Sequence, residues 1–599
     1  MNSIISVTNC SLLLHLLVLL SPWSFASFIA EASAAVNVSA ARLKSPFKII
    51  FDGGSTGSRL HIFEFVEVYD EDENDRENTV DNRNSNIRNN APTNGLPKSQ
   101  NKIINKSPST KIECVRRGSL RADIPMSSFG RSPLDKKPLN PETVAAHLLP
   151  LFEYAANIIP SEHHDTTGVF YQATAGMRLL EESEQEAVYD AVYAGLMRDK
   201  SFVFRGLQRK DISTLSGEME AYYGALAANF LQGIIDTELR VISAYNTNDN
   251  EEETEPPRHP VGALDMGGSS TQIVYIANLE DEAGESATPG SMTCPIKQQS
   301  LNNGSADPSQ NTCRLSDEHF FSTSYLSYGV DQIRKRLWET LLTEHIESET
   351  EDICDAKVIS NPCANKGLEV EYNGYTLLGT GNTEECGRQM KRLIPHPDTV
   401  HEWDAEVDEW TVGGVEHPPI RGKFLAMSLY FFSLDSLRVF SEPNEKAHTA
   451  LNAAWPNPSI EELQNALDGL CSRDWQDDME LQEGVHSFTR KEVLPHRCLE
   501  TVYLVTLLKD GFGFHPSSRD ITFTFLIDGD EVEWTLGMAL AMNADEQATA
   551  SATTVTTTSY DYNINETGNN VLAEIQEYLL HRVPNTQLFS VTSPPTHCC

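Results

Sequence analysis

The sequence predicts an α/β fold built from two related halves, and two observations support this prediction. The first is a pattern that occurs twice: residues 49–63 (IIFDGGSTGSRLHIF) and 261–276 (VGALDMGGSSTQIVYI) each join two apolar runs through an acid, glycines and hydroxyl residues. The second is the alternation of strand-like apolar runs with amphipathic helical segments along the rest of the chain. Because the two patterns resemble each other, they indicate one chain with two similar halves.

Further helices and strands are predicted around these two hairpins. Residues 141–160 have apolar positions at helical spacing, with Pro141 in the first turn. Residues 168–180 predict a strand that turns tightly into a helix, and residues 213–231 predict a loop that enters a helix. Residues 322–342 predict another amphipathic helix.

The N-terminus and the cysteines indicate the secretory pathway. Leu12–Leu20 forms a short apolar core followed by small residues, which predicts a signal peptide over residues 1–34. The usual basic residues are missing at its start, so an uncleaved membrane anchor is the alternative. Elsewhere the chain has no run of the roughly 20 apolar residues that a membrane span needs. The cysteines beyond the leader form no CxxC pair and indicate disulfides of an oxidising compartment. Sequons at Asn37, Asn303 and Asn565 permit glycosylation.

Charge excludes some classes of partner. The net charge of −40 argues against nucleic acid or an anionic membrane surface as partner. Much of the acid lies in 69–95 and 246–260, whose composition predicts solvated inserts without a packed core. Residues 545–567 are rich in Ala, Thr and Ser and predict a low-complexity insert.

The repeated hairpin has the composition of a phosphate-binding loop. Its glycines allow consecutive N–H groups to point at one cluster of oxygens, and its hydroxyl groups add donors. A tight turn with polar residues would explain either copy alone. However, Asp52 and Asp265 each end a buried strand, where a carboxylate is costly unless it is paired or faces a cation. Two such loops facing each other predict a site for a polyphosphate with Mg²⁺ or Ca²⁺, which both acids would hold through water.

Five stretches extend this picture to a known family. FDGGSTGSR, ATAGMR, GEMEAYYG, LDMGGSSTQ and EWTLGMAL occur in this order and resemble the signature regions of the nucleoside triphosphate diphosphohydrolases, the apyrase family. With NPC, GTGN and KDGFGF, the resemblance covers residues 47–543. It implies a two-lobed actin-like (ribonuclease H-like) fold with an active-site cleft between the lobes. The implied activity is hydrolysis of terminal nucleotide phosphates with a divalent cation.

The resemblance also implies domain boundaries. Lobe I would span 47–210 and contain a disordered acidic insert at 69–112. Lobe II would span 211–528, and the chain would return to lobe I over 529–590, interrupted by the low-complexity insert. A disulfide between Cys471 and Cys498 is implied as well.

The roles of individual residues follow from the same resemblance. Glu220 would be the general base, although an exposed acid in the first turn of a helix is the alternative explanation. Residues lining or orienting the attacking water would be Thr174, Ala175, Ser270 and Gln272. Phosphate-binding residues would be Ser55, Thr56, Gly57 and Ser58 in the first loop and Gly267, Gly268 and Ser269 in the second. Asp52 and Asp265 would hold the cation.

Some positions depart from the family pattern. Ala221 and Ala225 stand where glycine and tryptophan are usual, and Asp510 stands where the cell-surface triphosphatases have a basic residue. Asp510 would lie near the base, and the segment LLKDGFGF resembles the soluble, diphosphate-preferring branch of the family.

The sequence therefore predicts a secreted or lumenal nucleoside tri-/diphosphatase that depends on Ca²⁺ or Mg²⁺. Two alternatives remain open at this point. One is another actin-like phosphohydrolase or phosphotransferase, such as a polyphosphate phosphatase or a kinase. The other is a non-catalytic nucleotide-binding protein.

Overall fold

A computed structural model describes residues 45–69, 110–130, 138–242, 259–277, 314–348, 357–395 and 411–558. Residues 1–541 form one compact unit and residues 542–599 form a second. The described part of the second unit is helical.

The first half of the chain contains five strands and five helices. The strands are β1 (Phe47–Gly54), β2 (Gly57–Tyr69), β3 (Thr110–Ala122), β4 (Gly168–Ala173) and β5 (Ile212–Thr214). The helices are α1 (Pro141–Ala146), α2 (Leu149–Ile158), α3 (Ala175–Arg178), α4 (Glu182–Arg198) and α5 (Gly217–Leu231). Short 3₁₀ turns lie at Met126–Phe129, Ser161–His163 and Arg209–Asp211.

The second half repeats the central strands and adds more elements around them. Its first strands are β6 (Gly262–Met266), β7 (Ser270–Tyr275), β8 (Phe321–Leu326), β9 (Val358–Asn361), β10 (Glu369–Tyr372) and β11 (Tyr375–Gly379). The remaining strands are β12 (Thr411–Val412), β13 (Val415–Glu416), β14 (Phe424–Ala426), β15 (Ile521–Phe523), β16 (Leu526–Ile527) and β17 (Asp530–Glu531). The helices are α6 (Val330–Ser348), α7 (Thr383–Leu393), α8 (Leu429–Phe440), α9 (Glu445–Ala454), α10 (Ile460–Cys471), α11 (Arg497–Thr506) and α12 (Trp534–Thr558). A π turn at Leu507–Gly511 follows α11, and 3₁₀ turns lie at Asp317–His319, Met479–Gln482 and Leu494–His496.

The two large sheets have the same topology. Their strand orders are β3-β2-β1-β4-β5 and β15-β14-β6-β7-β8. In each sheet the leading strand, β1 or β6, pairs antiparallel with the next strand of its hairpin, which in turn pairs antiparallel with a third. On its other side the leading strand is followed by two parallel strands. The predicted α/β fold with two related halves is therefore confirmed.

Each sheet has its own hydrophobic core. Ile49, Phe51 and Leu60 lie in the core of the first half, packed with residues of helices α1, α2 and α4. Leu264 and Ile273 lie in a larger core in the second half. The hairpins are therefore anchored in two separate cores, while their polar ends stay outside both.

Two predicted helices are corrected by the structure. Residues 141–160 form two helices, because Pro150 has no N–H to donate to Ala146 and its ring would clash with that carbonyl. Within 322–342, the first residues belong to β8, which pairs with β7, and the helix begins only at Val330. Strand pairing outweighs the local helical pattern there.

The predicted inserts differ from the structure at their edges. β2 reaches Tyr69 and β3 begins at Thr110, so both ends of the predicted insert 69–112 are strand, and residues 70–109 lie outside the described residues. Residues 545–558, predicted as a low-complexity insert, continue α12, and 559–567 lie outside the described residues. The leader at 1–34 and the three sequons also lie outside the described residues.

Among the described residues, two disulfides are present and both lie in the second half. Cys471 bonds Cys498, as the resemblance implied, and Cys363 bonds Cys386, a pair that the sequence did not reveal. Cys114 is a free thiol in β3. Within the described ranges, no helix is both long and apolar enough to cross a membrane.

Candidate active site

Both hairpins open onto one cleft with a volume of about 650 Å³. Every residue that the sequence singled out as catalytic, phosphate-binding or cation-holding lines it. They are Asp52, Ser55, Thr56, Gly57, Ser58, Thr174, Ala175, Glu220, Asp265, Gly267, Gly268, Ser269, Ser270 and Gln272. The structure thus brings together residues from four separate motifs, and the roles assigned to them stay predictions.

The two hairpins match residue for residue at their base. Asp52 in β1 pairs across the strands with Arg59 in β2, and Asp265 in β6 pairs in the same way with Gln272 in β7. The spacing from acid to partner is identical in both copies. Each hairpin therefore carries one carboxylate and one long polar side chain at equivalent, directly paired positions.

The two loops approach each other closely. A Cβ atom at Gly268 would lie 2.9 Å from Ser55 Oγ and 2.4 Å from Asp331 Oδ2, so a side chain there would have to displace these two side chains. Gly57 has a φ of +150°, and a Cβ atom on it would lie 2.3 Å from the carbonyl oxygen of Ala122 in β3. Gly268 thus favours the close approach of the two loops, and Gly57 favours the packing of the first loop against β3.

Glu220 lies buried in the first turn of α5, with its side chain directed into the cleft. Arg178 Nη2 donates a hydrogen bond to Glu220 Oε2 at 2.8 Å and one to Ser270 Oγ at 3.2 Å. Gln272 Nε2 donates to the same Glu220 oxygen at 3.2 Å and to Ser270 Oγ at 2.7 Å. The exposed acid that the alternative explanation required is therefore ruled out, because only 8% of Glu220 is exposed.

The environment of Glu220 shifts its pKa strongly upward. Burial raises the pKa of Glu220 to about 8, against the lowering effect of the Arg178 charge, and the charges of Asp265 and Asp52 raise it further. A carboxyl group that titrates in this range can take a proton from water and release it again.

The two acids fit a divalent cation. Burial raises the pKa of Asp52 to about 6, although the charge of Arg59 acts against this, and burial also raises the pKa of Asp265. Asp52 Oδ1 is buried and has no hydrogen-bond partner among the described residues. Such an orphaned carboxylate oxygen is satisfied when it faces a cation or the water of a cation.

The protein alone does not offer a complete set of cation ligands. In the described part of the chain, no three side chains of His, Cys, Asp or Glu are placed to hold a metal ion together. Asp52 and Asp265 would therefore share the cation with water and with the oxygens of the substrate. Hard cations such as Mg²⁺ keep several waters in sites of this kind.

Basic side chains surround the first loop despite the acidity of the chain. Arg59, Arg121, Arg334 and Arg490 all line the cleft. Arg121 Nη2 donates to both the carbonyl and the hydroxyl oxygen of Thr56, at 2.9 Å each. Burial lowers the pKa of Arg121, and the nearby charges of Arg59 and Arg490 add to this effect. Like charges held together at a loop rich in N–H donors favour a polyanion there.

Sequence reasoning missed several residues of the site. Arg178 and Glu533 stand inside the motifs ATAGMR and EWTLGMAL, but their partners could not be seen from the motifs alone. Glu533 lines the cleft and bonds Arg59. Ser428, with a positive φ of 53°, donates a hydrogen bond to Asp265. The local sequence around Ser428 contains no pattern that predicts a positive φ at this serine.

Two expectations are modified by side-chain contacts. Ser58 is fully buried and its hydroxyl bonds the Tyr171 hydroxyl at 2.8 Å, so only its backbone is turned to the cleft. Asp510 lies 3.3 Å from Lys391 Nζ and is not among the cleft residues. The expectation that Asp510 lies near Glu220 is therefore not supported, and the diphosphate preference stays a prediction that rests on the resemblance of LLKDGFGF.

Family comparison identifies what kind of protein has this cleft. Residues 39–555 match the model of the GDA1/CD39 (nucleoside phosphatase) family. The chain belongs to the GDA1/CD39 family. It is thus a nucleoside tri-/diphosphatase by family, as the motifs implied, and enzymes of this family generally depend on a divalent cation.

Individual relatives agree with the family. The chain is similar to the Golgi apyrase of Saccharomyces cerevisiae, with 24% identity over 82% of this chain and 70% of the relative. It is also similar to ectonucleoside triphosphate diphosphohydrolase 1 of Mus musculus, with 26% identity over 67% of this chain and 70% of the relative. These GDA1/CD39 relatives are Golgi or ecto enzymes, which is consistent with a place in the secretory pathway.

The fold agrees as well. A crystal structure of nucleoside triphosphate hydrolases from Neospora caninum matches 88% of this chain and 97% of that chain, with a TM-score of 0.50 and 11% identity. The predicted two-lobed actin-like fold of the family is thereby confirmed.

Proposed function

We propose that this GDA1/CD39 enzyme removes the terminal phosphate of nucleoside tri- and diphosphates by in-line attack of a water molecule that Glu220 activates. The observation that supports this most is the setting of Glu220. Its carboxyl group is buried in the cleft, held by Arg178 and Gln272, and has a pKa of about 8. This setting suits a general base and has no evident purpose in a protein that only binds nucleotides.

The hydrogen bonds around Glu220 define where the water would lie. Ser270 Oγ accepts hydrogen bonds from Arg178 and Gln272, which leaves its own hydroxyl hydrogen free to point toward a water in the cleft. Thr174 lies beside this position, with its N–H bonded to the carbonyl oxygen of Gly53. Water held between these groups and Glu220 would be aligned for attack on a phosphorus atom bound at the two loops.

The two loops would bind the phosphate groups mainly through their backbone. Ser55–Gly57 from the first hairpin and Gly267–Ser269 from the second line the same cleft. Their N–H groups, together with Arg121 beside Thr56, would stabilise the charge that develops on the equatorial oxygens. When bound, the divalent cation would neutralise phosphate charge, and Asp52 and Asp265 would position it through water.

Glu220 then accepts the proton of the attacking water as the bond from the water oxygen to the terminal phosphorus forms. The bond from that phosphorus to the bridging oxygen breaks in the same step, which releases inorganic phosphate and the nucleoside di- or monophosphate. Arg178 stabilises the ionised carboxylate before this step, and Gln272 keeps its orientation. No covalent intermediate with the protein is required, because the attacking oxygen comes from water.

We further propose that the enzyme acts in the lumen of the secretory pathway or outside the cell. The support comes from the two disulfides, which persist in oxidising compartments, and from the leader-like N-terminus of the sequence.

A glutamine substitution tests the role of Glu220. In Glu220→Gln the side chain keeps its size and one oxygen acceptor but cannot take up the proton. We expect kcat to fall by about 10²–10⁴-fold while the affinity for a non-hydrolysable nucleotide–Ca²⁺ complex stays near that of the parent.

Glu218 provides the matched control. It lies two residues earlier in the same helical turn but is exposed, and only its backbone carbonyl is engaged, by the Ser322 hydroxyl. Glu218→Gln should keep the parent kcat. If Glu220→Gln retains the parent kcat, or if Glu218→Gln abolishes turnover, Glu220 is not the base.

A further inference from the structure

Glu533, just before α12, lines the cleft as a partly buried side chain but has no place in the chemistry proposed for Glu220. Only 16% of its side chain is exposed. Oε1 lies 2.9 Å from Arg59 Nη1, and Oε2 lies 2.8 Å from Nε2 of His61, which is fully buried. Arg116 Nη1 lies 3.7 Å from Oε1. A carboxylate with three basic neighbours is fixed in place as an anion.

Arg59 has a second acid within its reach. It is the direct cross-strand partner of Asp52 in the β1–β2 ladder, a geometry in which opposite charges readily pair. Its guanidinium nevertheless bonds Glu533, and Asp52 Oδ1 remains buried without a hydrogen-bond partner among the described residues. The side chain of Arg59 thus bonds Glu533 and not Asp52, its neighbour on the adjacent strand.

We propose that Glu533 is a positioning residue that holds Arg59 away from Asp52 and so keeps the Asp52 carboxylate available to the divalent cation. A guanidinium on Asp52 would occupy the place of the cation and neutralise the charge that attracts it. The inference rests on the proposed cation site of Asp52 and Asp265 and does not involve the role of Glu220.

The geometry on the far side of Glu533 supports this role. His61 and Arg116 belong to β2 and β3, so they hold Glu533 against the sheet that also carries Arg59. These contacts fix the position of the Glu533 carboxylate while it bonds the Arg59 guanidinium. In this proposal Glu533 positions Arg59 and is not itself a ligand of the cation.

Cation binding by the full-length chain tests the proposal. The probe is Ca²⁺ titrated in the presence of a saturating β,γ-imido analogue of ATP, with the thermal unfolding midpoint as readout. In Glu533→Gln, Arg59 loses its anionic partner and turns to Asp52. We expect the Kd for Ca²⁺ to rise about tenfold or more, as for other residues that orient the ligands of a metal.

Two further variants separate displacement of the cation from loss of charge. Glu492 also lines the cleft but is exposed, and the loss of its charge in Glu492→Gln should change the Kd for Ca²⁺ by less than about twofold. The double variant Glu533→Gln/Arg59→Met should regain the parent Kd, because the competing guanidinium is absent. A double variant as weak as Glu533→Gln alone would overturn the proposal.

Arg59→Met gives a test that does not depend on the folding of Glu533→Gln. If Arg59 is only a potential competitor, this variant binds Ca²⁺ at least as tightly as the parent. Weaker binding would place Arg59 within the cation site and overturn the proposal.

A crystal structure of Glu533→Gln without divalent cations provides the direct readout. We expect the Arg59 guanidinium within hydrogen-bonding distance of Asp52. If Arg59 keeps its present position, or if Glu533→Gln binds Ca²⁺ like the parent, the proposal is wrong. Failure of the proposed chemistry is distinguished separately, since it would show in the kcat of Glu220→Gln and not in these binding constants.

Discussion

Glu220 and Glu533 occupy related positions in the two halves, yet their carboxyl groups behave in opposite ways. Each lies at the start of the helix that follows the last strand of its sheet, α5 in the first half and α12 in the second. Each is bonded by the cross-strand partner of the acid in the opposite hairpin, Gln272 for Glu220 and Arg59 for Glu533. In each case, therefore, the hairpin of one half bonds the glutamate at the helix start of the other half.

The difference lies in the charges around each glutamate. For Glu220, burial outweighs the single nearby cation, Arg178, and the pKa rises to about 8. For Glu533, burial acts in the same direction, but the His61 and Arg59 side chains, with a hydrogen bond from Glu531, lower the pKa far below its usual range. One related position thus holds a carboxyl group with a raised pKa and the other a carboxyl group with a lowered pKa. The hairpin residue that bonds the glutamate is the neutral Gln272 in the first case and the charged Arg59 in the second.

The largest expected contrast between the halves comes from reducing the disulfides. The two disulfides of the described residues lie in the second half, and in the chain-entropy view opening the 27-residue Cys471–Cys498 loop costs about 3–4 kcal/mol. Hydrogen exchange measured before and after reduction should show faster exchange in α10 and α11 and little change in β1–β4. Equal loss of protection in both sheets would contradict this.

Removal of the anionic glutamate should destabilise the protein more than removal of the proton acceptor. Glu533→Ala leaves the buried His61 and the Arg59 guanidinium without their anion, at a cost of about 3 kcal/mol. Glu220→Ala should cost less, because Arg178 keeps its bonds to the Leu215 carbonyl and to Ser270. Parallel urea unfolding curves of the two variants measure the difference, and equal losses would contradict the contrast.

The pH dependence of kcat should change when Arg178, the charged partner of Glu220, is replaced. In the proposed mechanism the ionised form of Glu220 is the active one, so kcat rises as pH passes upward through the pKa of Glu220. A bound cation would lower that pKa, so this rising limb of the pH profile should lie below pH 8. Arg178→Gln removes a charge that favours the ionised form, so the limb should move upward by about one pH unit or more. Arg59→Met, which changes the partner of Glu533 instead, should leave the limb in place. A downward shift in Arg178→Gln would show that the base has been misassigned.

The smallest expected effects concern two matched hydroxyls. Ser58 Oγ bonds the Tyr171 hydroxyl at 2.8 Å, and Thr271 Oγ1 bonds the Tyr430 hydroxyl at 3.0 Å. Because both hydroxyls face the interior, Ser58→Ala and Thr271→Val should each cost about 1 kcal/mol of stability and leave KM unchanged. A clear rise in KM for Ser58→Ala alone would restore the phosphate-binding role that the sequence predicted for its side chain.

The sequence by itself determined much of the active-site inventory. The two hairpins, their acids and the glycine-hydroxyl loops are local patterns, and their resemblance to each other revealed the duplicated fold. Local patterns predicted secondary structure less well where strand pairing determined it. The segment at 322–326 was part of a predicted helix, but it belongs to β8, which pairs with β7.

Only the tertiary structure decided which charges meet. Arg178 and Glu220 are 42 residues apart, and Arg59 and Glu533 are 474 residues apart, so no spacing in the sequence connects them. Their pairing follows from the way the two sheets place the hairpin of one half beside the helix of the other. The sequence thus determined which acids the cleft contains, and the fold decided which of their pKa values rise and which fall, because a pKa depends on burial and on neighbouring charges that only packing brings together.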